Sequence, residues 1–216
     1  MPKELLICFA LKEEAAPFQK RCRRHKDVAL LVVGIGRANA ERAIRNYLEK
    51  YSPRLVYTCG FAGGLKPALK VGDVLFENGA NMASLRGLEA RLMTAGARAG
   101  KFFCADHIAT TVAEKNELRA TTQADAVEME SAAIHAVCAE KKIPCVTVRV
   151  ISDTANEDLP LDFNALAKPD KNLDFGKLAW AIAKSPGKIP QLMALQKKTS
   201  FAAHQLANVL EKIVLP

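Results

Sequence analysis

Four short runs, ELLICFAL (residues 4–11), VALLVVGI (28–35), RLVYTCGF (54–61) and PCVTVRVIS (144–152), are apolar at nearly every position and rich in β-branched residues. Alternation would mark a half-exposed strand; continuous hydrophobicity marks strands covered on both faces. Helical patterns lie between them. NAERAIRNYLEKY (39–51) sets Ala43, Ile44, Tyr47 and Leu48 on one face and stops before Pro53. MESAAIHAVCAEKK (129–142) does the same with Ala133, Ile134, Val137 and Cys138, and its basic last turn suits the helix dipole. Such alternation predicts an α/β fold with a largely parallel sheet, in one domain spanning residues 1–216. Beyond Asp153 the chain turns polar and proline-punctuated, so residues 154–174 read as a long surface connection or lid. Two C-terminal helices follow, over 175–185 and about 190–214.

The stretch CGFAGGLKPALKVGDVLF (59–76) reads as strand, turn, strand, with Gly60, Gly63, Gly64 and Gly72 leaving backbone open to close approach. A dinucleotide is a poor fit. In VGIGRANAERA (33–43) Asn39 replaces the third glycine of the fingerprint, and no acidic residue ends the following strand. No Walker motif exists either. Six cysteines without C-x-x-C pairing sit mostly in apolar runs, as buried reduced thiols do, and four histidines lack H-E-x-x-H spacing. No metal or cofactor is therefore expected. The excess of 31 basic over 23 acidic residues favours anionic partners. Its densest patch, KRCRRHK (20–26), has no interleaved aromatics, so it reads as a solvated helix end and not as a nucleic-acid site. The N-terminus reads as a first strand, not an export signal, and no apolar run approaches the ~20 residues of a bilayer crossing. A cytoplasmic protein is expected.

The residues able to do chemistry are dispersed carboxylates: Glu13 and Glu14 just past the first strand, Glu128 and Glu130 in AVEMES, and Asp153 ending VRVISD. The carboxyl ends of strands face the crevice where open α/β sheets bind ligands. Taken singly, each acid reads first as a surface group or helix cap. Asp153 resists that reading most, because it follows an apolar strand and precedes a turn. Ser131 and His135, four apart on one helix, lack a third orienting acid and are discounted as a nucleophile and base.

CGFAGGLKPALKVGDVL, AVEMESAAIHAVC and PCVTVRVISDTAN resemble the signature segments of the purine nucleoside phosphorylase and methylthioadenosine/S-adenosylhomocysteine nucleosidase superfamily, with FALKEEAAPF matching its N-terminal acidic segment. The tail from LPLDFNALAK to GKIPQLM is similar to the hopanoid-associated phosphorylases, a branch also short between its glycine loop and its M-E-S motif. The resemblance implies a twisted mixed sheet flanked by helices. It also implies cleavage of the N-ribosidic bond of an adenosine-type nucleoside, adenosyl-hopane among the candidates, with release of adenine.

By that resemblance Asp153 supplies a proton to the leaving base, Glu130 binds the ribose hydroxyls and Met129 lies under the ribose. The glycines, Gly63 among them, let the loop approach the sugar, and Ile108 falls near a base-stacking position that is aromatic in the family. Glu14 and Arg149 match the groups that hold water in the hydrolytic members. Phosphorylases place an arginine before the glycine loop and a hydroxyl residue within it; here Tyr57 and Thr58 precede the loop and Phe61 takes the hydroxyl position. Phe61 either lines the sugar site or packs beneath the loop. Hydrolysis is thus favoured over phosphorolysis, with a catalytically inactive nucleoside- or lipid-binding protein as the alternative. A homodimer is expected. So is a peripheral membrane contact through Lys197, Lys198, Lys212, Phe201, Leu206 and Leu210 of the last helix, against which stands ordinary packing of that face on the sheet.

Overall fold

The computed structural model describes residues 4–79, 87–166 and 175–215. In chain order its first half comprises β1 (Leu5–Phe9), α1 (Lys12–Cys22), β2 (Val28–Val32), α2 (Arg37–Leu48), β3 (Leu55–Gly64), β4 (Val74–Asn78) and α3 (Leu88–Ala95). The second half adds β5 (Arg98–Ala99), β6 (Phe102–Cys104), α4 (Val112–Thr122), β7 (Ala126–Glu128), α5 (Ser131–Glu140), β8 (Cys145–Asp153), α6 (Phe175–Lys184) and α7 (Ile189–Val214).

The four apolar runs are β1, β2, β3 and β8, and they lie side by side in parallel in the order β2-β1-β3-β8. The sheet is nevertheless mixed, because β4 runs antiparallel to β8 and β7 antiparallel to the end of β3. The strand, turn and strand expected over residues 59–76 form as β3, residues 65–73 and β4, with the first strand running past residue 61. Strand β3 continues through its glycines to Gly64, and Gly63 and Gly64 pair with Val127 and Ala126 of β7. Glycines in a strand allow close approach of other backbone, and here they also permit a register shift against β8 between Ala62 and Gly63.

Helices cover both faces, as continuous hydrophobicity requires. On one, Phe18 of α1, Leu92 of α3 and Leu206 and Leu210 of α7 meet Phe9, Tyr57 and Val148 of the sheet. On the other, Ile44 and Leu48 of α2 and Ile134 and Val137 of α5 meet Leu6, Cys8 and Val56. Leu206 and Leu210 are fully buried, contributing roughly 2 kcal/mol each. They are thereby removed from the membrane-facing set: this face of α7 packs on the sheet, and Lys198 pairs with Glu157. Arg23, Arg24, His25 and Lys26 of the basic run are solvated. The proposed lid lies partly outside the described residues (167–174); its earlier part is stitched to the loop before α4 by Leu159 N–H donating to Thr110 O (2.8 Å). No helix among the described residues is long and apolar enough to cross a membrane.

Candidate active site

Helix α1 follows β1 directly, so its first turn stands above the carboxyl ends of β1 and β3. There the side chain of Glu14 folds back: Oε2 accepts the Leu11 N–H and Oε1 the Phe61 N–H, both at 2.9 Å. Glu13 points to solvent. Gly60 (φ +146°) makes the approach possible, since a Cβ there would lie 2.8 Å from both Glu14 Oε1 and Arg149 Nη1. Phe61 meets Glu14 through its main chain, while its ring packs against the core beneath α1 and α7.

Burial pushes Glu14 up to about 7, against the opposing pull of Arg149 and the Phe61 and Leu11 N–H donors. Its proton is thus bound more tightly in the folded chain than in the unfolded one. The resulting stability is full below about pH 4.5 and is lost as pH rises through about 7.

Arg149, 1% exposed in mid-β8, is the hub. Its Nη2 lies 2.6 Å from Glu128 Oε2, 3.2 Å from Glu130 Oε2 and 3.2 Å from Thr58 Oγ1, and Nη1 donates to Cys59 O at 3.4 Å. Its hydrogen-bonded carboxylate is Glu128, while Glu14, beside it at Gly60, acts on it through charge. Its Nε is buried without a hydrogen-bond partner among the described residues, a donor not committed to the protein. Burial disfavours the guanidinium charge, but Glu128, Glu130 and Glu14 more than offset it and keep Arg149 protonated.

Glu128 ends β7 and opens α5, accepting the N–H groups of Glu130 (2.9 Å) and Ser131 (2.8 Å) and the Ser131 hydroxyl (2.5 Å). A carboxylate there answers the unpaired donors of a helix N-terminus. Burial opposes its charge, yet Arg149 and the Ser131 and Glu130 donors hold it below the usual carboxylate range. Burial pushes Glu130 the other way, with Arg149 opposing. Glu130 Oε1 accepts the Gly36 N–H (2.8 Å) at the start of α2. In a dinucleotide fold a phosphate occupies that helix end; here the chain's own carboxylate does.

Asp153 closes β8, buried, with Ser152 Oγ donating to Oδ1 (2.7 Å) and Lys115 Nζ to Oδ2 (2.5 Å). Its carboxyl lies over Gly63, where a Cβ would stand 3.3 Å from Oδ2. Met129 is buried between Glu128 and Glu130. Ile108 is less tied to the cluster: its N–H donates to Asn164 Oδ1 and its C=O accepts from Asn164 Nδ2, both at 2.9 Å. His135 hydrogen-bonds Thr147 Oγ1 (2.8 Å), and Ser131 is bound to Glu128, so these two serve separate partners. Burial pushes the Cys8, Cys59 and Cys145 thiols well up, as unreactive core residues.

Glu14, Glu128, Glu130 and Arg149 thus gather beside Gly60, with Asp153 beside Gly63 on the same strand. The first group offers a carboxyl able to take a proton near neutrality, the second a carboxyl held by a cation. Sequence reasoning noted Glu128 among the acids and Thr58 before the glycine loop without giving either a site role, and it missed Lys115. Its hydrogen bonds to the Glu130 and Ser131 N–H groups bear out the plain reading of Glu128 as an acid at a helix start.

A sequence profile described as Phosphorylase superfamily matches residues 21–88 and 80–182. A 5′-methylthioadenosine/S-adenosylhomocysteine nucleosidase of Shewanella oneidensis is 30% identical over 179 residues, covering 65% of this chain and 72% of that protein. An aminodeoxyfutalosine nucleosidase of Campylobacter jejuni is 26% identical over 169 residues, covering 65% and 74%. Among solved structures, futalosine hydrolase of Helicobacter pylori superposes with a TM-score of 0.72 at 18% identity, covering 99% of this chain and 98% of that one.

Proposed function

The chain belongs to the phosphorylase superfamily, and from that premise we propose that it hydrolyses the N-ribosidic bond of an adenosine-type nucleoside and releases adenine. Glu14 takes the proton of a water that attacks C1′, Glu130 binds the ribose hydroxyls, Met129 lies under the sugar, and Asp153 protonates the base at N7. Arg149 holds Glu128 and Glu130 in place and supplies the compensating charge. The curated relatives named above are nucleosidases, which supports the reaction type.

The observation that carries hydrolysis over phosphorolysis is the sign of the buried charge. Three carboxylates, Glu14, Glu128 and Glu130, surround one guanidinium already hydrogen-bonded to Glu128. A phosphate dianion entering there meets a guanidinium already neutralised by the ionised Glu128, whereas water meets an acceptor in Glu14 once that group has lost its proton. Adenine release from 5′-methylthioadenosine is therefore expected at the same rate with and without inorganic phosphate, yielding the free sugar. Strict dependence on phosphate, with a sugar 1-phosphate as product, would overturn the assignment. Calorimetric binding without turnover would replace it by a nucleoside-binding protein.

The pH profile gives a second check. A base must be unprotonated to act, so kcat/KM is expected to show an ascending limb with its midpoint near pH 7. Glu14→Gln is expected to abolish that limb along with most of the rate; a variant that keeps the limb would assign it to another group.

A bulky lipid 5′ substituent, as in adenosyl-hopane, extends the proposal, as do a peripheral membrane contact and a homodimer. The tail resemblance supports the first. Exposed Trp180 of α6 and Ile189 and Met193 at the start of α7, with Lys184 stacked 3.7 Å over the Trp180 ring, support an apolar contact there in place of the one lost with Leu206 and Leu210.

A further inference from the structure

Helix α4 has one fully buried residue, and it is a lysine. Lysines are almost never fully buried unless paired. All three protons of the Lys115 ammonium are used: it donates to Asp153 Oδ2 at 2.5 Å, to Thr154 O at 2.8 Å and to Glu157 O at 3.0 Å. The acceptors are themselves fixed. The Glu157 side chain accepts the Thr154 N–H (2.9 Å) and pairs with Lys198 of α7, and Asp158 accepts the Val112 N–H (2.6 Å) at the start of α4.

We propose that Lys115 is the positioning residue of the acid: its ammonium fixes the Asp153 carboxyl and stabilises the carboxylate left when the proton passes to the base. This rests on the reaction proposed above. In that step the C1′–N9 bond breaks, its electron pair goes to the base, and the Asp153 proton goes to N7. The water oxygen bonds to C1′, its proton goes to Glu14, and solvent exchange returns a proton from Glu14 to Asp153. The charge on Asp153 thus grows by one unit during bond breaking, beside a cation already in place. An interaction that strengthens toward the transition state accelerates the step, and a preorganised one needs no rearrangement.

A purely structural clamp would matter equally for every substrate; a partner of the acid matters only where the leaving group needs a proton. The test compares 5′-methylthioadenosine with a 4-nitrophenyl riboside carrying the same 5′ group, whose phenolate leaves unprotonated. Lys115→Met is expected to lower kcat for the nucleoside by about 100-fold, leaving KM and the nitrophenyl rate within about threefold. Lys115→Arg, which restores a cation, is expected to recover most of the loss. Equal losses on both substrates, or none on the nucleoside, would overturn the proposal. Should Lys115→Met not fold, Lys115→Arg is read instead, with a loss of about tenfold confined to the nucleoside expected and equal losses overturning it. The parent chain is measured first: no cleavage of either substrate strikes the functional reading itself, whereas a normal parent rate with a uniform variant loss strikes only the role of Lys115.

Discussion

Asp153→Asn is expected to slow adenine release from 5′-methylthioadenosine by about 10³-fold with little change in KM. Asparagine keeps the size of the side chain and an oxygen for Lys115, so the carboxamide still fits over Gly63 and the strand ends keep their register. What it cannot do is deliver an acid proton to a base that leaves poorly without one. Single-turnover kinetics, which separate bond cleavage from adenine release, are the measurement. A variant that retains the parent rate removes Asp153 from the chemistry and the proposed mechanism with it.

The largest effect on the fold is expected from Arg149→Met. Among the described residues the guanidinium is the one cation beside Glu14, Glu128 and Glu130, and methionine fills much of its volume while leaving three buried acids uncompensated. Breaking a buried pair from one side costs roughly 3–5 kcal/mol, enough to bring a marginal domain close to unfolding. The direction with pH follows from the acids. In the parent, Arg149 helps hold Glu128 below its ordinary range, so its ionised form favours the folded chain, and that contribution fades as pH falls. Without the guanidinium, burial raises these groups in the folded state, and their contribution is lost as pH rises. Denaturant unfolding at pH 5 and pH 8 is thus expected to show a larger deficit for Arg149→Met at pH 8. A deficit under about 1 kcal/mol, the range of surface pairs, or one independent of pH, would mean that Arg149 does not hold the cluster together.

Much of this could be read from the residues because it is local. Continuous apolar runs marked β1, β2, β3 and β8, and helical spacing marked α2, α5 and α7, since burial on two faces or one face writes a period into the sequence. The carboxylates Glu14, Glu130 and Asp153 were legible as acids at strand ends, and the resemblance picked them from among their neighbours. Lys115 was not legible. In VAEKNELRATT it looks like one more solvated helix residue, and what buries it is a carboxylate 38 positions away. The course of β3 was hidden for a related reason: three glycines read as a turn, and only pairing with β7 and β8 keeps them extended. The packing of Phe61 likewise depends on which side of that strand each residue takes, and the glycines erase the pattern that would have told.

The uninterrupted β3 has a further consequence. Gly60 touches Glu14 and Gly63 touches Asp153, so the strand works as a ruler: three residues of extended chain, about 10 Å, separate its two points of contact with these acids. A ruler of main chain does not depend on rotamers or on loop closure. One residue added or removed between its marks shifts the span by about 3 Å and turns the later part of β3 toward the other face of the sheet.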